Sequence, residues 1–212
     1  MKANLSFCYR LVSTFFKIIF KLGYHGKLYG LENIPKSGGF ILAGNHVSYL
    51  DPPLIAVHAN RQPVYSFARK TLFKRGIGWF FKRLYMTGVD RDKGSDIHSI
   101  KRVLQLLKEG NPVLMFPEGT RSSSGILQRA KKGIGLFVMK ANVPVIPVRI
   151  FGSFEAWPKG AKWPKFKHYI SIVFGKPLMP EDFVECQKDM DPMQAISDKV
   201  MQAIANLQEI KK

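Results

Sequence analysis

The 212-residue chain predicts a layered α/β domain, a mostly parallel or mixed sheet flanked by helices, preceded by an N-terminal amphipathic helix. Three observations carry that expectation. From residue 25 onward, short apolar runs alternate with patterns of helical period. Several of those runs are continuously apolar, as in strands covered on both faces. The first two dozen residues separate cations from aromatic and aliphatic side chains. The organisation expected is residues 1–24 as the leading helix and residues 25–212 as one domain, with no internal repeat or low-complexity linker.

Taken in order, Leu5 to Leu22 fits a helix. At about 100° per residue, Lys2, Ser6, Arg10, Ser13, Thr14, Lys17 and Lys21 share one face. Leu5, Cys8, Leu11, Val12, Phe15, Phe16, Ile18, Ile19 and Leu22 cover the opposite side, with Phe7 and Phe20 at the boundary. A cationic face opposite a wide apolar face suits a helix lying in a membrane interface; packing on the protein's own core is the plainer alternative. No small-residue cleavage site follows, so a secretory signal is not expected. Strands are expected at Gly39–Ala43, Val64–Ala68, Val113–Phe116, Val145–Ile150 and Tyr169–Phe174. Asp96–Glu109 aligns Ile97, Ile100, Val103, Leu104 and Leu107 on one helical face, with Gly110 as its cap. A last helix is marked by Met193, Ile196, Val200, Ile204 and Leu207.

Composition narrows the class. Thirty-three Lys and Arg against 15 Asp and Glu leave a formal charge of +18, a field that attracts nucleic acid, an anionic lipid surface or an acidic carrier protein. Two cysteines, Cys8 and Cys186, exclude a disulfide framework or a CxxC site. The longest uncharged stretch, Ser37 to Leu50, has 14 residues, short of the roughly 18 that a spanning helix needs. Two basic tracts interleave with aromatics. One runs from Phe67 to Tyr85; the other sets Trp157, Trp163 and Phe166 among Lys159, Lys162, Lys165 and Lys167. Trp beside Lys suits a lipid headgroup layer. The same mixture would also serve a nucleic-acid-binding module, through stacking and charge, or be a solvated surface with the rings turned inward.

The chemistry-bearing residues follow apolar runs. Asn45-His46-Val47-Ser48-Tyr49-Leu50-Asp51 succeeds the first expected strand of the domain. If the loop folds back, Asp51 takes the proton-bearing imidazole nitrogen of His46 and leaves the other nitrogen basic, able to deprotonate an alcohol. On spacing alone, a loop histidine and a simple helix cap, with Pro52 at the first helical position, remain the alternative. Phe116-Pro117-Glu118-Gly119-Thr120-Arg121-Ser122 succeeds another run. There Gly119 allows close backbone approach, Arg121 offers a planar fork for phosphate, and Glu118 accepts hydrogen bonds from hydroxyls. The two segments share a sheet edge if their strands are parallel. Thr87-Gly88-Val89-Asp90-Arg91 brings a second arginine; as single residues, either arginine is equally a surface ion pair. The chain has no GxSxG elbow, Walker loop, complete dinucleotide loop or HExxH, and no metal site is expected.

In their order, NHVSYLD, GVDR, FPEGTRS and Val143-Pro144-Val145-Ile146-Pro147-Val148 resemble the four blocks of the glycerolipid acyltransferase family, in particular the bacterial 1-acyl-glycerol-3-phosphate acyltransferases. Gly30-Leu31-Glu32-Asn33-Ile34-Pro35 and Lys131-Lys132-Gly133 are similar to weaker family segments. Val89-Asp90 departs from the bulkier residues common before the second-block arginine. The resemblance implies that residues 25–212 form an acyltransferase domain, with His46 as general base and Asp51 orienting it. It further implies that Arg91 and Arg121 hold the acceptor phosphate, with Lys70 and Lys132 as secondary contacts. Glu118, Gly119, Thr120, Asn45 and Ser48 would shape the glycerol site, and the fourth block would pack and line the acyl pocket. No cofactor is implied. The acceptor would be lysophosphatidate and the donor an acyl carrier protein or coenzyme A thioester. The enzyme would sit peripherally or monotopically on the cytoplasmic face of the cell membrane, against anionic phospholipid, without nucleic acid. Other acceptors in keeping with the pattern are a lyso-ornithine lipid, another lysophospholipid or glycerol-3-phosphate.

Overall fold

In the computed structural model, which describes residues 5–61, 63–69, 78–89 and 97–210, the apolar runs assemble into one mixed sheet. Among the described residues its strands are β1 (Lys27–Tyr29), β2 (Phe40–Gly44), β3 (Tyr65–Arg69), β4 (Met86–Val89), β5 (Pro112–Met115), β6 (Val145–Phe151) and β7 (Ser171–Phe174), in the spatial order β1-β7-β6-β2-β5-β3-β4. All neighbours run parallel except the antiparallel pair β6–β7. β2 is central: Ile41 lies between Val113 and Val145, and Leu42 between Leu114 and Ile146. Every residue of β2 is buried, which explains its continuously apolar sequence.

Alternate residues of β2 enter different cores, as the two-residue period of a strand requires. Phe40 and Leu42 join a cluster with Leu54 and Ile55 of α2 (Asp51–His58), against which Phe16 of α1 (Phe7–Ile18) also packs. Ile41 and Ala43 join a cluster with α4 (Ile97–Lys108), α5 (Gly133–Ala141) and α7 (Pro192–Ala205). Fully burying each Leu or Ile of these layers contributes about 1.5–3 kcal/mol. The short helices α3 (Gly78–Arg83) and α6 (Ser153–Ala156) complete the described α-helices.

The strands anticipated from sequence occur within a residue or two of their expected ends. β1 and β4 lie outside those expectations; the three residues of β1 offer too little periodicity to register. Asp51 differs from its expected role as a cap. Leu50 occupies the cap position, the helix begins at Asp51, and Pro52 is its second residue. The carboxylate turns back toward the preceding loop, for the reason given below.

The leading helix also departs from the two-faced expectation. It ends at Ile18 and continues as a π turn, Ile19–Gly23. Tyr9, Ser13 and Phe20 are buried on its inner side, although Ser13 was expected on the cationic face. Phe7, Leu11, Phe15, Ile18 and Leu22 form an exposed stripe, each more than half accessible. At 100° per residue this stripe lies opposite Tyr9, Ser13, Phe16 and Phe20, with Arg10, Thr14, Lys17 and Lys21 along one flank. One side therefore packs on the domain, as in the plainer alternative, while another presents apolar surface outward. No described helix is long and apolar enough to cross a membrane.

The Gly133-Ile134-Gly135 segment serves packing. A Cβ on Gly135 would lie 2.0 Å from the carbonyl oxygen of Met193, where α5 crosses the start of α7. The Gly135 N–H donates to Ser197 Oγ at 3.0 Å in the same contact. Gly135→Ala should force the helices apart and destabilise the fold by about 1–3 kcal/mol, the range for overpacking, measured as a lower midpoint in chemical denaturation.

Candidate active site

Because β2, β5 and β6 are mutually parallel where they pair, their carboxyl ends open on one edge of the sheet, where open α/β folds bind ligands. The loops after β2 and β5 carry His46 and the 116–122 segment; the loop after β6 carries Ser153.

The Asp51 side chain has no exposed surface. Its Oδ2 accepts hydrogen bonds from the N–H groups of Val47 and Ser48, both at 2.7 Å, and lies 3.0 Å from His46 Nδ1. Its Oδ1 accepts from Ser153 Oγ at 2.6 Å. These bonds fold the loop back from the helix start and explain why the carboxylate does not cap α2. A carboxylate partner assigns the ring proton to Nδ1, so Nε2 carries the lone pair. The His46 ring stacks on Phe116, with centroids 4.1 Å apart and planes inclined by 21°, which restricts its rotation. The pair expected from sequence is thus in contact.

Glu118, expected to accept from hydroxyls, holds main-chain N–H groups in this structure. It is buried, its Oε1 accepting from the His46 N–H at 2.8 Å and its Oε2 from the Gln128 N–H at 3.1 Å. The Ser122 N–H donates to the His46 carbonyl at 2.8 Å. The segment after β5 therefore holds the His46 main chain from both sides. Burial pushes the Glu118 carboxyl above the ordinary carboxylate range, against the opposing effect of the bonds it accepts from His46 and Gln128.

Asn45 and Ser48 are likewise fasteners. Asn45 exchanges hydrogen bonds with the main chain of Ile150 in β6, receiving 2.8 Å and donating 3.2 Å. Ser48 Oγ donates to the Trp157 carbonyl at 2.7 Å and accepts the Leu50 N–H at 3.1 Å. Gly119 has φ +69°, a left-handed conformation that glycine adopts without strain, and an added Cβ would lie 2.9 Å from Lys131 Cδ. Thr120 is exposed on the same loop. The fourth block leads into β6 and forms its first four residues, of which Val145, Ile146 and Val148 are buried packing residues.

The Arg121 guanidinium lies over the Tyr49 ring, 3.5 Å from its centroid. Its Nη1 is buried with no hydrogen-bond partner among the described residues. Tyr49 also packs on Trp157, with centroids 5.2 Å apart. Lys132, expected as a phosphate contact, is instead paired with Asp191, the cap of α7, and draws the Asp191 carboxyl below its ordinary range. Lys131 is the residue that lies along Gly119. Arg91 and Lys70 fall outside the described residues; the strands that precede them, β4 and β3, run parallel with β5 toward the same edge. Among the described residues, no group of three or more His, Cys, Asp or Glu side chains gathers as a metal site.

Sequence reasoning did not single out Ser153, Phe116 or Tyr49. Ser153 stands more than 100 positions from Asp51 in a segment without a motif, so no local signal links them. Phe116 and Tyr49 sit inside the motifs, but as spacers.

A family model described as Acyltransferase matches residues 25–151. The chain is 29% identical over 201 residues to the 1-acyl-sn-glycerol-3-phosphate acyltransferase of Bacillus subtilis, covering 94% of this chain and 96% of that protein. It is 32% identical over 159 residues to the chloroplastic 1-acyl-sn-glycerol-3-phosphate acyltransferase BAT2 of Brassica napus, covering 73% of this chain and 45% of that protein. The crystal structure of the 1-acyl-sn-glycerophosphate (LPA) acyltransferase PlsC from Thermotoga maritima matches with a TM-score of 0.71 at 27% identity, over 92% of this chain and 77% of that one.

Glu118→Gln leaves one acceptor for two N–H donors and should destabilise the fold by about 1–3 kcal/mol, read by denaturant titration. The raised carboxyl makes folded wild type retain its proton where the unfolded chain has lost it, so wild-type stability falls as pH rises from the ordinary carboxylate value through the raised one. The gap between wild type and variant should therefore be widest at acidic pH and narrow across that window.

Proposed function

The chain belongs to the acyltransferase family, and from that premise we propose that it acylates the free hydroxyl of 1-acyl-glycerol-3-phosphate, giving phosphatidic acid. The observation that carries this reading is the His46–Asp51 contact beside a guanidinium whose buried Nη1 has no protein partner among the described residues. The names of the relatives support the acceptor, and the arginine supports a phosphorylated one.

In this mechanism His46 Nε2 takes the proton of the acceptor hydroxyl as the oxygen attacks the thioester carbonyl carbon. Asp51 keeps the imidazole in the Nδ1–H tautomer and stabilises the imidazolium. The tetrahedral adduct collapses by breaking its carbon–sulfur bond, and the leaving thiolate takes the proton from the imidazolium. Ester and free thiol result, and the base is regenerated. No enzyme nucleophile is needed. Arg121 grips the acceptor phosphate, held in place by its stacking on Tyr49; Arg91, which lies outside the described residues, is the second candidate for that phosphate from the sequence motif. The donor is an acyl carrier protein or coenzyme A thioester.

The exposed stripe Phe7, Leu11, Phe15, Ile18 and Leu22 and its cationic flank support a location on an anionic, cytoplasmic membrane surface. The acceptor, itself a lipid with one chain, then reaches the site without leaving the interface. The net charge of +18 agrees with such a surface.

His46→Ala should lower turnover by at least about 10²–10⁴-fold, the span that a positioned general base supplies, in assays following labelled phosphatidic acid by mass spectrometry, while vesicle binding persists. Retained turnover would remove His46 as the base. Arg121→Ala should reduce kcat/KM for the phosphorylated acceptor by about 10–100-fold, the worth of a charge-assisted contact, and change a neutral monoacylglycerol far less. An equal loss on both would count against the phosphate site.

A further inference from the structure

We propose that the segment 157–167 is a second lipid-contacting arm, which lays Trp163 and its lysines on the same anionic bilayer surface as the α1 stripe. This rests on the reading of α1 as an interfacial helix and adds a structurally separate element to it.

The segment lies between the two places that matter. At one end, the Tyr49 N–H donates to the Trp157 carbonyl at 3.4 Å, and Ser48 pairs with Pro158 across a β-bridge. This ties the arm to the His46 loop. At the other end, the Lys167 N–H donates to the Gly23 carbonyl at 2.9 Å, and Phe166 stacks on Tyr24 with centroids 5.5 Å apart. This ties the arm to the end of the leading helix. Within the arm, the Lys165 N–H donates to the Ala156 carbonyl at 2.7 Å, and Trp157 Nε1 donates to the Ala161 carbonyl at 3.1 Å. The main chain is thus fixed at several points.

On this fixed chain the side chains that could have been covered are not. Trp163 is 72% exposed and Phe166 52%. Lys159, Lys162, Lys165 and Lys167 are exposed, and none pairs with a carboxylate among the described residues. No acidic residue occurs between Ala156 and Pro180. An indole and a phenyl ring interleaved with unpaired ammonium groups match the headgroup layer, which accepts the ring at its apolar boundary and the ammonium at its phosphates. Protein interfaces instead deplete lysine from their centres. The charge pattern and the continuity with the α1 stripe therefore favour lipid over an acidic carrier protein.

The test is flotation of the full chain with vesicles of phosphatidylcholine, alone or mixed with phosphatidylglycerol. The proteins compared are wild type, Trp163→Ala, the double variant Lys162→Glu/Lys165→Glu, and Leu11→Asp/Phe15→Asp in α1. Both arm variants should lose at least about tenfold in affinity for the mixed vesicles, the double variant by reversing charge–headgroup contacts and Trp163→Ala by removing the interfacial ring. Their turnover on coenzyme A thioester with a short-chain, monomeric lysophosphatidate should stay within about twofold of wild type, which reports an intact fold and site. If the arm variants bind like wild type and only the α1 variant fails, the arm is not a lipid contact, although the α1 reading stands. If vesicle binding is unchanged but transfer from an acyl carrier protein thioester falls selectively, the surface belongs to the carrier protein and the proposal is overturned. Failure of wild type to float overturns the α1 reading and the arm together.

Discussion

A carboxylate with no access to solvent is the constraint around which the carboxyl edge of this sheet is arranged. An ionised Asp51 in that position would cost several kcal/mol if left unpaired. It is offset by the N–H groups of Val47 and Ser48, the Ser153 hydroxyl and the His46 ring. Satisfying those bonds dictates much else. The 45–51 loop must fold back on the start of α2, β6 must end where Ser153 can reach Oδ1, and the His46 ring must present Nδ1 inward. The imidazole's remaining nitrogen then has its direction fixed by the protein before any substrate arrives.

The same edge shows that residues of one motif can serve one another. Glu118 and Ser122, on a glycine-containing loop, accept from and donate to the main chain of His46. Asn45 and Ser48, which share a motif with His46, direct hydrogen bonds to the main chain of Ile150 and Trp157. The sequence blocks are thus largely a clamp for one imidazole, with a buried Arg121 donor left without a partner among the described residues. Such a clamp fits the proposed role of His46, because a base displaced by even an ångström is a poor base.

The leading helix illustrates a further point about amphipathicity. A 3.6-residue period describes a cylinder, and a cylinder can serve more than two surroundings. α1 and the π turn that follows it give one side to the core through Tyr9, Phe16 and Phe20, one to the exterior apolar stripe, and a flank to cations. A wheel drawn from sequence merges the two apolar sides into one, because both are made of Phe, Leu and Ile. Only the position of the domain distinguishes them.

How much was legible follows from the range of each interaction. Five of the seven described strands, α4 and α7 could be read along the chain, since burial on both faces and helical period leave local marks; the His46–Asp51 pair was legible through the motif that carries the resemblance, while its five-residue spacing left a plain cap open. The family resemblance was equally local, carried by ordered short blocks. What the chain alone did not determine was its long-range pairing: the partner of Oδ1 on Asp51, the engagement of Lys132 by Asp191, and the clamping role of Glu118. Each joins residues from separate elements, and sequence distance gives no measure of spatial distance once a sheet has set its strand order. The sequence by itself decided the layers, the charge and the chemical groups at the edge; the tertiary structure decided which of those groups face one another, because parallel strands bring their ends together only after the whole sheet has formed.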